Sequence, residues 1–192
     1  MSFPEVTTKD VFARIPNGGL EANAEFAWNA TLWTQGICEI EKRKIGKGFP
    51  DALIRFYSED KERYVWMLGE YKRDKSMVVN SICQLLMYLG NFFYDTSLEG
   101  TDNFVGIISA GTDYFIFIPR QNVMRIMEKF ENIWHRNFRV TPCEAYKEYD
   151  IMNFVRSNWD DLTEDSIFVD RRTENIRLDK IIKGIYEVWN LQ

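Results

Sequence analysis

A nearly continuous apolar run, NFVGIISAG at 103–111, follows a segment of helical period, SMVVNSICQLLMYLGNFFYD at 76–95, and this order leaves few folds open. Successive side chains of a strand point to opposite faces, so an unbroken apolar run calls for cover on both sides of the sheet. In the segment before it, Val78, Ile82, Leu85, Leu86, Leu89 and Phe93 fall on a helical period. A strand, a helix of this length and a second, doubly buried strand are the pieces of a right-handed crossover onto a mixed sheet.

The flanking segments fit that frame. Residues 20–34 carry Leu20, Ala24, Ala27, Trp28, Thr31 and Leu32 at helical spacing, with Glu21 and Glu25 four apart on one side. GICEIEKRKI (36–45) alternates apolar and charged residues, and GKGFP breaks it. DALIRFYS (51–58) and RYVWMLGEYK (63–72), joined by EDKE, complete a predicted antiparallel meander. After the crossover, DYFIFIPR (113–120) reads as a strand. NVMRIMEKFENIWHRN (122–137) reads as a helix with Val123, Ile126, Met127, Phe130, Ile133 and Trp134 in its stripe. Beyond Thr141-Pro142 the chain turns acidic and short of strand signals, so a mainly helical extension over 141–192 is expected on a core of 1–140. The last segment, LDKIIKGIYEVWNLQ, lacks a stop signal, which suggests a domain from a longer protein.

With 192 residues, 45% of them hydrophobic and 15% aromatic, the chain can form a core and is not of disordered composition. It shows no basic-then-apolar leader and no apolar run near the ~20 residues of a membrane span, so a soluble protein in the cytoplasm is expected, with no membrane partner. Cys38, Cys83 and Cys143 are far apart and form no C-x-x-C, which speaks against a disulfide framework, a structural zinc and an iron–sulfur cluster. The single His135 has no nucleophile that spacing assigns to it. Phosphate-loop, dinucleotide and nucleophile-elbow motifs are missing.

Charge is unevenly spread. Residues 36–75 hold ten Lys/Arg and eight Asp/Glu, a net of +2; the whole chain has 24 and 29, so the rest carries 14 against 21, a net of −7. Lys42, Arg43, Lys44, Arg73 and Lys75 are therefore the candidate phosphate contacts, with a solvated strand rim as the plain alternative.

In the run ending LGEYK, Glu70 and Lys72 are two apart and share a strand face, while Tyr71 takes the other. Asp51 opens the neighbouring strand after Pro50, at the same sheet end. Two carboxylates beside an ammonium make a site for a hard cation, which takes oxygen ligands. The chemistry that uses such a set is phosphodiester hydrolysis. The plain alternative is a turn-capping Asp51 and an edge-strand Glu70–Lys72 pair, worth only ~0–1 kcal/mol.

Pro50-Asp51 followed by Glu70-Tyr71-Lys72, with the predicted order of elements over residues 20–120, resembles the PD-(D/E)xK nuclease superfamily. The resemblance implies a restriction-endonuclease-like α/β core: helix, three-stranded meander, crossover helix and two further strands in a mixed sheet. It implies one or two Mg²⁺ or Mn²⁺ ions on Asp51, Glu70, the Tyr71 carbonyl and an acid of the first helix. Glu25 is the first choice for that acid, with Glu21 as the alternative, and Lys72 is the catalytic lysine. Gln84 and Tyr88, four apart in QLLMY, are similar to the glutamine–tyrosine motif of the lambda-exonuclease-like and RecB-like branch. They would join the catalytic and nucleic-acid-binding residues, though Tyr88 beside Leu85 and Leu86 reads equally as core. The expected function is a metal-dependent deoxyribonuclease. Its expected setting is the cleavage module of a restriction or phage-defence system, alone, as a homodimer or with partner domains. The rivals are an RNA endonuclease and a catalytically silent binding module.

Overall fold

The computed structural model describes residues 2–3, 38–41, 43–58, 60, 62–71, 75–95, 104–110, 114–164 and 166–170. Among the described residues seven strands, β1 (Ser2–Phe3), β2 (Cys38–Glu41), β3 (Ala52–Tyr57), β4 (Tyr64–Tyr71), β5 (Phe104–Ala110), β6 (Tyr114–Pro119) and β7 (Ile167–Asp170), form one sheet in chain order. All neighbours are antiparallel except β4 and β5, which run parallel. Between those two strands the chain forms helix α1 (Val78–Phe93), entered through the 3₁₀ turn Lys75–Met77. A parallel pair cannot be closed by a hairpin, and a 16-residue helix spans the return.

Helix α2 (Arg120–Asn137) follows β6 directly, with Pro119 in extended geometry as its N-cap. The 3₁₀ segment Pro142–Lys147 and two short helices, α3 (Tyr149–Ser157) and α4 (Trp159–Thr163), lead into β7. Ala145, Ile151, Phe154, Val155 and Leu162 share one apolar cluster with α1, α2, β3, β4 and β6. Asn122, buried at the start of α2, donates through Nδ2 to the carbonyls of Leu162 and Glu164 and so ties α4 to that helix.

The expected architecture is corrected here. The five-stranded restriction-endonuclease-like core is not what the chain forms, because β1 and β7 extend the sheet to seven strands. The part beyond residue 141 is helical from Pro142 to Thr163 and packs on the core, but it also returns a strand to the sheet: β7 pairs with β6 from Tyr114↔Asp170 to Phe117↔Ile167. A run as short as IFVD leaves no period to stand out, and a sheet edge selects it through backbone pairing rather than pattern. Of the strand expected over 36–45, the described residues show Cys38–Glu41, and Ile45 belongs instead to an Ile45–Gly48 bridge around a two-residue turn. The predicted helix at 20–34 and the terminal segment LDKIIKGIYEVWNLQ lie outside the described residues.

Helix α1 is at the centre of the packing. Eleven of its sixteen residues are buried, among them Ile82, Cys83, Leu85, Leu86, Met87, Tyr88, Leu89 and Phe92. Gly90 is where α2 comes closest: a Cβ there would stand 1.9 Å from Trp134 Cδ1, and the Trp134 indole N–H donates to the Met87 carbonyl at 3.1 Å. The Gly90→Ala substitution sets two effects against each other. Helix propensity favours alanine by about 1 kcal/mol, whereas forcing a methyl into a packed indole typically costs ~1–3 kcal/mol and here threatens a buried hydrogen bond as well. Overlap wins. The variant is expected to be less stable by about 1–3 kcal/mol, read as a lower urea midpoint at unchanged slope.

Candidate functional site

The β3–β4 register determines which side chains meet. Pairing runs from Tyr57↔Tyr64 to Ala52↔Gly69, so one further step sets Asp51 opposite Glu70. The Asp51 backbone N–H donates to Glu70 Oε2 at 3.4 Å. Asp51 is exposed just ahead of β3, whereas Glu70, inside β4, is only 5% exposed. Alternation puts Glu70 on the same β4 face as Leu68 and Trp66, and Trp66 packs against Phe92 of α1, so that face looks toward the helix. The two acidic residues thus stand opposite one another at one sheet end, Asp51 exposed and Glu70 buried under α1.

Helix α1 supplies the other wall. Gln84 and Tyr88 lie one turn apart on the same side and are 2% and 3% exposed. Burial pushes the Tyr88 phenol well above its ordinary value, and the charges of Glu70 and Asp51, then Cys143, push it further in the same direction. The phenol therefore stays protonated at neutral pH, with its O–H available as a donor. Gln84 Oε1 is a buried acceptor with no hydrogen-bond partner among the described residues. An unsatisfied buried acceptor costs ~1–3 kcal/mol, so its presence next to this tyrosine marks a place where an additional donor belongs.

The third wall is the turn at 45–48. Ile45 is fully buried, its N–H donates to the Gly48 carbonyl at 2.8 Å, and the Gly48 N–H returns to Ile45 at 3.3 Å. Gly46 has φ +57°, where glycine is favoured, and a Cβ on it would lie 2.7 Å from the Asn91 amide. A Cβ on Gly48 would lie 2.8 Å from the Tyr88 hydroxyl oxygen. Both glycines thus let the backbone rest on α1, and Tyr88 is enclosed between that backbone and the carboxylates.

Of the residues singled out in the sequence, Asp51, Glu70 and Tyr88 are brought together, with Gln84 one turn from Tyr88. Tyr71 ends β4, paired with Ala110. Arg43 is half-buried and Lys44 exposed just before the turn, while Lys75 sits in the 3₁₀ turn that enters α1. Lys42, Lys72, Arg73, Glu21 and Glu25 lie outside the described residues. Among the described residues, no three His, Cys, Asp or Glu side chains are grouped to hold a metal. Sequence reasoning missed Gly48, whose G-x-G spacing signalled a turn but not its seat on Tyr88. A further set, Arg55 with its Cζ 4.1 Å from the Trp66 ring centroid, 4.8 Å from Tyr64 and 5.6 Å from Tyr57, belongs to the same sheet face nearer the other end of β3. That arrangement is a structural clamp of the type worth up to ~2 kcal/mol when desolvated.

No family model matches the chain, and no characterised protein or solved structure matches it. No helix among the described residues is long and apolar enough to cross a membrane.

The raised ionisations give a pH prediction. For a group whose folded value lies above its unfolded one, stability is full below the unfolded value and is lost as the pH rises beyond it. Tyr88 starts this loss near its ordinary 10.0, and Cys83, pushed up to about 12 chiefly by burial, starts it near 9.0. Each contributes up to ~1.4 kcal/mol per pH unit. Urea unfolding between pH 8 and pH 11 should show the parent weakening with pH, and Tyr88→Phe should weaken less steeply above pH 10; parallel curves would contradict this placement of the phenol.

Proposed function

We propose that this chain hydrolyses phosphodiester bonds of nucleic acid, DNA in the first instance, with a divalent cation. The observation that carries the reading is the adjacency of Asp51 and Glu70 at one sheet end, enclosed by the protonated Tyr88. The donor set fits a hard cation, since carboxylate oxygens suit Mg²⁺ and Mn²⁺, and a cation would relieve the cost of two carboxylates sharing one place. Asp51 and Glu70 would hold it; the exposed Asp51 is open to substrate, and the buried Glu70 is held by its surroundings. A bound cation of this kind lowers the pKa of a water and offsets charge on the scissile phosphate.

The chain's own groups have separate tasks. The Tyr88 phenol keeps its proton at neutral pH, so it would act as a hydrogen-bond donor and not as a base. Gln84 Oε1 accepts from the nucleophilic water or from a group that positions it. Lys72 is assigned to the water by its spacing from Glu70. Lys44 and Arg43 supply positive charge beside the turn, which makes affinity salt-dependent. A reducing, cytoplasmic setting suits the exposed thiol of Cys143.

The test is cleavage of supercoiled plasmid and labelled single-stranded DNA with Mn²⁺, Mg²⁺ or EDTA. Activity should need the cation and fall at least about a hundredfold in Asp51→Asn, Glu70→Gln and Lys72→Ala, since a weakened hold on the cation or on the attacking water removes several kcal/mol of transition-state stabilisation. Equal activity in parent and variants would place the chemistry elsewhere. Cutting of RNA in preference to DNA would reassign the substrate. Independently of turnover, Mn²⁺ should raise the melting temperature of the parent and leave that of the Asp51→Asn, Glu70→Gln double variant unmoved. No shift in either protein and no cutting would favour a silent binding module.

A further inference from the structure

The turn that encloses Tyr88 also presents an aromatic ring to solvent. Phe49 is 63% exposed, although it stands between Gly48, packed on Tyr88, and the half-buried Pro50 that leads into Asp51. A large exposed apolar side chain beside a polar site is more informative than one scattered over a surface. Its position is also stiff. The Ile45–Gly48 bridge and the seat of both glycines on α1 fix the chain before it. Pro50 restricts Phe49 itself to extended backbone. Lys44 and Lys47 are exposed on the same turn and make no ion pair among the described residues. Over residues 43–49 the charge is +3, from Arg43, Lys44 and Lys47, with no acid between.

We propose that Phe49 is a stacking platform for an unpaired base, so that the Asp51–Glu70 site takes single-stranded or frayed nucleic acid while Lys44 and Lys47 grip the flanking phosphates. This rests on the phosphodiesterase reading for its choice of polymer. Every base has an apolar face that stacks on an aromatic ring, and a row of cations beside such a ring follows the backbone without reading sequence. Inside a duplex the base faces are already stacked on one another, so only a single strand, an end or a melted junction can offer one to Phe49. A phosphate near Asp51 would be repelled by its carboxylate. Cations on the turn and a base docked two residues away let the strand approach despite that charge.

The experiment uses the full chain in EDTA, where binding is read without cutting. Labelled dT₁₂ and a closed hairpin duplex are titrated by fluorescence anisotropy against the parent, Phe49→Ala, Phe49→Trp and Lys44→Ala/Lys47→Ala, and a 2-aminopurine oligonucleotide reports stacking directly. The parent should prefer the single strand. Phe49→Ala should bind it about five- to a hundredfold more weakly, lose the 2-aminopurine quenching and keep its duplex affinity, while Phe49→Trp retains both. The lysine double variant should weaken both substrates and flatten the salt dependence. Circular dichroism of each variant checks the fold. Equal single-strand binding by Phe49→Ala, a loss equal for duplex and single strand, or no binding of either polymer would overturn the platform; capture of an acidic peptide at the same turn in place of the oligonucleotide would overturn it too. Failure of the nuclease reading looks different. Phe49-dependent binding with no cation-dependent cutting keeps the platform and removes the enzyme, whereas cutting that needs Asp51 and Glu70 but treats Phe49→Ala like the parent keeps the enzyme and removes the platform.

Discussion

The burial of α1 on more than one side is the constraint from which the other contacts follow. Its sheet-facing side meets Trp66 and Leu68, its Gly90 side admits Trp134 of α2, and the segment from Pro142 through Val155 closes on it as well. A helix so enclosed has little freedom to rotate or slide, because protein interiors pack at crystal density and every shift meets another side chain. That rigidity is passed to the polar end of the helix. Gln84 and Tyr88 are held against the sheet by the same packing that buries Leu85 and Leu89.

The candidate site is an exception within that apolar arrangement. Glu70 lies on a strand whose neighbours Val65 to Gly69 are all buried, and its carboxylate accepts from the backbone of Asp51 at the sheet end. Placing two acids near a protonated phenol, with a buried amide oxygen that has no partner among the described residues one helical turn away, lowers stability relative to an apolar filling of the same space. Local departures from the most stable packing are characteristic of sites kept for chemistry, where donors and acceptors wait for a ligand. The turn carrying Gly46 and Gly48 shows how economical the construction is: two residues without side chains let the basic segment rest on α1 while its lysines and Phe49 face water.

The C-terminal part has a different standing from the one its composition suggested. Its acidic, strand-poor sequence reads as an attachment, yet Ala145, Ile151, Val155 and Leu162 are core and β7 completes the sheet edge. Pattern analysis sees charge on the outward face of short helices and misses the few apolar side chains turned inward. Removing this segment would expose the side of α1 that it covers, so it is not a cover separable from the site.

The periods of individual segments were legible in the sequence. Alternation in ALIRFY and YVWMLGEY, the stripe of Ile82, Leu85, Leu86 and Leu89, and the continuous apolar FVGIISA each depend on neighbours a few residues apart, which local geometry dictates. The pairing of Asp51 with Glu70 could be anticipated as two carboxylates at one strand end, because strand parity is a local property. Tertiary structure alone decided the rest: that the described residues form a sheet of seven strands rather than five, that Gly48 rests on Tyr88, and that Phe49 is left in water. These depend on residues far apart in the chain coming together, or on what happens not to cover a side chain. No period or spacing encodes either, since both are determined by how the elements close around α1.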